Sequence, residues 1–428
     1  MATPRIEKLY GALDIGSSKV CAMIAGRTDD GSLLVLGTGQ RASDGVKRGY
    51  VTDSDRTELA VREAVEQAER IAGVNIEQVH VGCTSGGMVS DITRVEVDLA
   101  GGRIEQDDVD HLLSAGRDTI QPDGRLVLHA QPALYTLDGA PGVRRPIGLH
   151  AERLGVDIHV IFADGPPVRN IDQTVCAAHL GVGGIVAAPI ASGLACLSEE
   201  EQDLGCALVE IGAQVTNISL YEGGVMTGLF SIAYGGSDIT DAIASAFGLR
   251  RAEAERIKCF HGAATSSPRD NHDMIDLRVP EEDSRLMGSA DRGPDDRHRI
   301  TRAQLVSVIR QPLDKLVSDI GKGMAKLGLD ATRGQRIVLT GGSAELRGLA
   351  DHMQAAFGCT VRIGRPARLT GLPDAHSGPA FTTLAGLILF AVQEPLDIRQ
   401  AASAYQMAHG QSGAAVLQRL WRALIGNF

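Results

Sequence analysis

The sequence is short of several features that would settle a class at once. It has no run of 18 apolar residues, so nothing in it is expected to span a bilayer. Aromatic residues make up 4 % of it, and Trp occurs once. The seven cysteines, Cys21, Cys83, Cys176, Cys196, Cys206, Cys259 and Cys359, form no CxxC pair, which argues against a zinc site or a disulfide framework. Most lie in apolar runs, as buried free thiols do in a reducing compartment. The opening residues, MATPRIEKLYGALDIG, contain no secretory apolar segment, so a cytosolic body is expected. Basic residues are also in deficit. With 42 Lys and Arg against 53 acids the net charge is −11, and such a chain is a poor candidate for broad nucleic-acid binding.

What the chain does have is glycine, 51 residues of it, beside a hydrophobic content of 43 %. That suits an α/β protein with many strand–turn junctions. At 428 residues, at least two domains are expected. Residues 9–25, LYGALDIGSSKVCAMIA, read as a strand, a tight turn at Gly16-Ser17-Ser18 and a second strand starting at Lys19. SLLVLGTGQ (32–40) supplies a third strand. Residues 205–224, GCALVEIGAQVTNISLYEGG, repeat this plan, and VMTGLFSIAYGG (225–236) follows as their third strand. Asp14 matches Glu210, Ile15 matches Ile211, and Gly16 matches Gly212, 196 positions later. The repeat is a duplicated β-rich domain rather than a solenoid.

A hairpin turn with Gly lets backbone N–H groups approach an anion closely. An acid at the end of the first strand can hold Mg²⁺ beside phosphates, usually through water. Two such hairpins face to face would clamp a nucleotide's phosphates across a cleft. A third element, GQRIVLTGGSAELRGL (334–349), reads as a buried strand over 336–340, a turn at Gly341-Gly342-Ser343 and a helix start. It suits close approach by a flat ligand such as a nucleoside. Each element alone matches an ordinary hairpin or βα turn. The three in this order are far more specific.

The last stretch, VLQRLWRALIGNF (416–428), places Val416, Leu417, Leu420, Trp421, Leu424, Ile425 and Phe428 on one helical stripe, with Arg419 and Arg422 outside it. Residues 394–415 before it read as a small, polar linker, and no acid follows Asp397. Trp and Phe beside Arg suit the interface of an anionic bilayer. Docking on the parent fold or in a partner's groove stays open on the residues alone. Residues 266–301 read as polar surface loops with a short strand in MIDLRVP, and 301–328 as a core-facing helix kinked at Pro312. His261 and His272 have no metal-ligand spacing to any Cys or acid and read as surface or packing residues.

The two hairpins and LTGGSAEL resemble the phosphate-1, phosphate-2 and adenosine motifs of the actin-like ATPase superfamily. IVAAPIASGLACLSEEE (185–201) and FTTLAGLILFA (381–391) resemble its two connecting helices. Within AEAERIKCFHG (252–262), Glu255 and Lys258 match the family positions that contact the nucleoside. Among the superfamily's branches, the short insert, GYVTDSDRTELAVREAVEQAERIAGV, RPIGLHAERLGVDIHV and the terminal helix resemble the FtsA family of cell-division proteins.

The resemblance implies a two-lobed actin-like (duplicated ribonuclease-H-like) α/β fold with an α+β 1C-type insert and a C-terminal amphipathic helix. Subdomain 1A would be 1–83, 164–194 and 381–391, and 1C would be 84–163. Subdomain 2A would be 195–235 and 311–380, and 2B would be 236–310. A linker over 394–413 and a membrane helix over 414–428 would follow. ATP would be bound by Asp14, Gly16, Ser17, Ser18, Lys19, Glu210, Gly212, Ala213, Gln214, Glu255, Lys258, Gly341, Gly342 and Ser343, with Mg²⁺ at Asp14 and Glu210 through water. Leu417, Arg419, Leu420, Trp421, Arg422, Leu424, Ile425 and Phe428 would bind membrane lipid.

Implied partners are the FtsZ tail peptide on 2B, further copies of the chain in filaments, and later division proteins on the insert. The implied place is the cytoplasmic face of the inner membrane at the septum. The same motifs also allow a type IV pilus assembly ATPase or a small-molecule kinase, although no Asp is placed as a kinase base. The second hairpin departs from the family's Asp-hydrophobic-Gly-Gly-Gly-Thr-Thr. Here Glu210 is one methylene longer than Asp, and Ala213, Gln214 and Val215 carry side chains where the family has Gly, Gly and Thr. Catalysis is sensitive to displacements of about 1 Å, so weak or absent hydrolysis is expected.

Overall fold

A computed structural model gives the fold and describes residues 5–85, 87–277, 299–329, 336–366 and 369–399. The chain opens with three antiparallel strands, β1 (Ile6–Ile15), β2 (Lys19–Thr28) and β3 (Leu33–Ala42), then a small hairpin of β4 (Val46–Lys47) and β5 (Tyr50–Val51). Helix α1 (Ser54–Ala72) starts where the Asp53 carboxylate accepts the Arg56 amide and stops at Gly73, whose φ is 70°. Its buried face, Ala60, Val61, Ala64, Val65 and Ala68, lies against β3. Strand β6 (Gln78–Cys83) then runs parallel to β1.

The next segment is the α+β insert. It holds β7 (Val89–Asp98), α2 (Gln106–Thr119), β8 (Leu126–Leu137), β9 (Ala140–Val143) and β10 (Arg153–Ala163). The chain returns through α3 (Gly165–Ala177), β11 (Gly181–Ala187), α4 (Ala188–Cys196) and α5 (Glu199–Leu204). The second half has β12 (Cys206–Ile211), β13 (Thr216–Glu222), β14 (Val225–Ile232), α6 (Gly236–Phe247), α7 (Arg251–His261), β15 (Met274–Asp276), β16 (Arg299–Thr301), α8 (Arg302–Lys326), β17 (Arg336–Thr340), α9 (Leu349–Phe357), β18 (Val361–Ile363) and α10 (Thr382–Gln393).

The duplication seen in the sequence is also a duplication of topology. One sheet has the order β11-β6-β1-β2-β3, and part of the other has β18-β17-β12-β13-β14. In each, the first three strands are parallel and the last two form antiparallel pairs. Asp14 pairs with Cys21 and Gly82, and its counterpart Glu210 with Asn217 and Thr340. The large apolar core of each half forms around these strands. Helices α4 and α10 cross between the halves. They approach so closely that a Cβ on Gly386 would lie 1.8 Å from the Ala191 carbonyl oxygen.

Three features were not legible beforehand. The second sheet continues into the insert, because Phe230 of β14 pairs with Val89 of β7 and the Leu229 amide donates to Ser90 Oγ at 2.7 Å. Residues 394–399, read as the start of a linker, carry an anchor instead. Ile398 is buried in the insert's own core, and the Asp397 carboxylate accepts from Arg399 Nη2 at 2.7 Å and from the Ala130 amide at 3.4 Å. Finally, the helix expected straight after Gly341-Gly342-Ser343 is a single 3₁₀ turn, Gly342–Glu345, and α9 begins only at Leu349.

Candidate functional site

The two sheets bound a cleft of about 770 Å³. All the nucleotide-site residues named from the sequence line it: Asp14, Gly16 to Lys19, Glu210, Gly212 to Gln214, Glu255, Lys258 and Gly341 to Ser343. The two hairpin turns have the same closure. The Gly16 amide donates to the Lys19 carbonyl at 3.0 Å, and the Gly212 amide to the Val215 carbonyl at 2.9 Å. Gly341 has φ 85° and leaves no room for a side chain, since a Cβ there would lie 2.5 Å from the Ile211 carbonyl oxygen. Ser343 Oγ donates to the Gly212 carbonyl at 3.0 Å, which joins the third element to the second hairpin.

Two carboxylates share the floor. Glu210 is buried and held by three donors. Its Oε1 accepts from Ser192 Oγ of α4 at 2.9 Å and from Thr383 of α10, and its Oε2 accepts from Asn217 Nδ2 at 3.1 Å. The opposite charge acting on Asp14 is Lys19, whose ammonium sits 3.5 Å from the centre of the Phe381 ring. Burial, and then the negative charge of Glu210, push Asp14 from 3.8 up to about 7, with Lys19 opposing. A site with uncompensated negative charge and only oxygen donors fits a hard divalent cation. Glu210 already uses both oxygens, so water and phosphate would have to supply most of the coordination. No group of three or more His, Cys, Asp or Glu among the described residues could hold a metal without such help.

Lys258, whose partner Gly236 donates its own amide to the Gly212 carbonyl at 3.0 Å, directs its protons to the protein. It donates to the Gly236 carbonyl at 2.9 Å, Thr240 Oγ1 at 2.8 Å and Glu255 Oε2 at 2.7 Å. Burial raises Glu255, but Lys258 and the Thr240 hydroxyl outweigh it and hold the carboxyl below the usual range. Sequence reasoning missed Ser192, Thr383 and Arg48. A signal existed for the first two, which are polar positions within otherwise apolar helices. The Gln214 side chain, which stands where the family pattern has Gly, lines the cleft and accepts the Arg48 amide at 2.8 Å. The tail stripe from Leu417 to Phe428 lies outside the described residues.

Residues 207–386 match the model of the cell division protein FtsA, and residues 86–162 match the SHS2 domain inserted in FtsA. The FtsA of Rhizobium meliloti (strain 1021) is 36 % identical over 92 % of this chain and 90 % of its own length. The chain belongs to the FtsA family. The Escherichia coli K12 FtsA is 30 % identical over 91 % of this chain and 92 % of its own. That of Pseudomonas aeruginosa PAO1 is 29 % identical over the full length of both. A role in cell division comes with membership of the FtsA family.

Solved structures extend the likeness to the fold. The PilM-PilN type IV pilus biogenesis complex matches with a TM-score of 0.61 at 18 % identity, over 91 % of this chain and 99 % of that one. MreB 5 of Spiroplasma citri, bound to AMPPNP, matches with a TM-score of 0.51 at 13 % identity, over 91 % and 98 %. The expected actin-like α/β fold is therefore the observed one, and the FtsA family, rather than a pilus ATPase or a kinase, is where the sequence belongs.

Proposed function

We propose that this FtsA-family chain binds ATP with Mg²⁺ in the cleft between its halves and works as a scaffold rather than as an efficient enzyme. The observation that carries this is the pair of matching hairpins with Asp14 and Glu210 between them, one carboxylate lacking adequate compensation. The backbone turns at Gly16–Ser18 and Gly212–Gln214 would hold the phosphates, Gly341-Gly342-Ser343 and the Glu255–Lys258 pair would border the nucleoside, and Asp14 and Glu210 would hold Mg²⁺ through water. The fold relative MreB 5 of Spiroplasma citri, bound to AMPPNP, supports a nucleotide in such a cleft. The cation would offset the charge between the phosphates and the two carboxylates. Glu210, fastened by Ser192, Thr383 and Asn217, is placed to hold the connecting helices rather than to move a water molecule, which fits slow or absent turnover. Calorimetry with MgATP tests the site. An absence of binding heat, or turnover near a typical enzyme's roughly 10 s⁻¹, would count against it.

The rest of the reading follows the family. The chain is proposed to self-associate at the inner face of the cytoplasmic membrane and to tether FtsZ filaments there, at the septum. The halves would divide into subdomains 1A, 1C, 2A and 2B at the family's boundaries. The FtsZ tail peptide would dock on 236–310, where Phe260 and Met274 are exposed at 68 % and 52 %. Later division proteins would meet the insert. Among the described residues no helix is long and apolar enough to cross a membrane. Attachment is assigned to Leu417–Phe428 for its apolar stripe with Arg419 and Arg422 beside it. Arg419 and Arg422 would add about 1 kcal/mol each on anionic lipid. Trp421→Glu is expected to abolish co-sedimentation with anionic vesicles. If the variant pellets as well as the parent, the tail packs on protein.

A further inference from the structure

Beside the crossing helices, a second junction links the two halves. It is made by Arg48, in the turn between β4 and β5. The Arg48 amide donates to Gln214 Oε1 at 2.8 Å, and its guanidinium donates to Asp238 Oδ1 at 2.7 Å, to the Gln214 carbonyl at 3.3 Å and to the Ala233 carbonyl. Gly49 and Gln214 both line the cleft. Asp238 is well covered, with its side chain 15 % exposed, and its other oxygen accepts the Gly235 amide at 2.8 Å at the start of α6.

Two departures from local rules meet at this contact. Arg48 has φ 50°, in the left-handed region where an L side chain is disfavoured. A glycine would meet the turn's needs at lower cost, so what Arg48 adds is its guanidinium. Gln214 stands at a hairpin position where the family pattern has Gly, and its carboxamide is turned to the Arg48 amide. When a disfavoured backbone position and a departure from the family pattern meet at one shared contact, a role for that contact is the economical explanation.

We propose that Arg48, Gln214 and Asp238 form a clasp that holds the halves together at the phosphate end of the cleft and slows release of bound nucleotide. The proposal rests on the reading of the cleft as a nucleotide site. Separating the halves there would have to break the Arg48–Asp238 pair and the bonds to Gln214. Nucleotide release would then be limited by opening of the clasp as well as by the nucleotide's own contacts.

The test uses the full chain, Mg²⁺ and a fluorescent ATP analogue, with release followed by stopped-flow chase with unlabelled ATP. Arg48→Gly keeps the turn's backbone and removes the guanidinium. Asp238→Asn keeps an oxygen for the Gly235 amide and removes the charge. Each is expected to speed release on the order of three- to tenfold, as for loss of one partly exposed charge-assisted pair. The double variant should release no faster than the faster single one, because both changes open the same clasp. A merely structural role would lower the melting temperature without this non-additive change in rate. Release at the parent's rate in both variants, or multiplied effects in the double, overturns the clasp while leaving the nucleotide site intact. If the analogue does not bind the parent, the cleft reading itself falls and the retention role falls with it.

Discussion

Asp14→Asn should make the nucleotide-free protein more stable. The substitution removes a carboxylate that burial and Glu210 make costly to ionise, and nearly preserves its shape. Raising the carboxyl from 3.8 to about 7 corresponds to about 4 kcal/mol in a dry site. That full amount is the ceiling on the gain, because water in the open cleft would relax the pKa shift and the penalty together. The sign follows from proton counting. Between pH 3.8 and about 7 the folded chain keeps a proton on Asp14 that the unfolded chain has lost, so the parent loses stability as pH rises through that window. The asparagine variant has no such loss. Its advantage should be absent below about pH 4, grow from there to about pH 7, and stay level above about pH 8.

For a chain of 428 residues each kcal/mol moves the melting temperature by about 1 °C. Differential scanning calorimetry of parent and variant across pH, without Mg²⁺ or nucleotide, reads the difference directly. With MgATP the order should reverse, since only the parent gains much from ligand binding. A variant that melts with or below the parent at pH 8, with no nucleotide, would refute the reasoning.

Two further outcomes are expected. Gly386→Val drives a side chain into the Ala191 backbone, so α4 and α10 must separate and carry Ser192 and Thr383 away from Glu210. It should cost about 3 kcal/mol and weaken MgATP binding in calorimetry. Ile398→Ala empties part of the insert's core and should cost about 2–4 kcal/mol, seen as faster amide exchange in β8 and α2 rather than in the distant strand β12.

Much of the architecture was written locally. Strand, turn and strand follow from the spacing of apolar residues around Gly16 and Gly212, because alternation and glycine act over a few residues. The duplication then paired Asp14 with Glu210 across 196 positions, since equal sequence plans make equal turns. FTTLAGLILFA (381–391), likened to a connecting helix of the superfamily, lies in the observed helix Thr382–Gln393 and the turn before it, and the order of the three motifs was enough to single out one cleft.

Partners were decided only in three dimensions. Periodicity says that a residue faces inward, not which surface it meets. Ile398 lies in a stretch that is polar by composition, yet it completes the core of an insert formed more than 200 residues earlier. The insert's sheet joins the second half's through Phe230 and Val89, a pairing with no pattern of its own. Glu210 reads in the sequence as a ligand for a cation. Burial among Ser192, Thr383 and Asn217 makes it also the point where two helices are fastened, because a carboxylate removed from water must find donors wherever the fold brings them. Arg48 has no local signal at all. Its meaning arises where the tertiary fold sets one half's turn against the other half's hairpin.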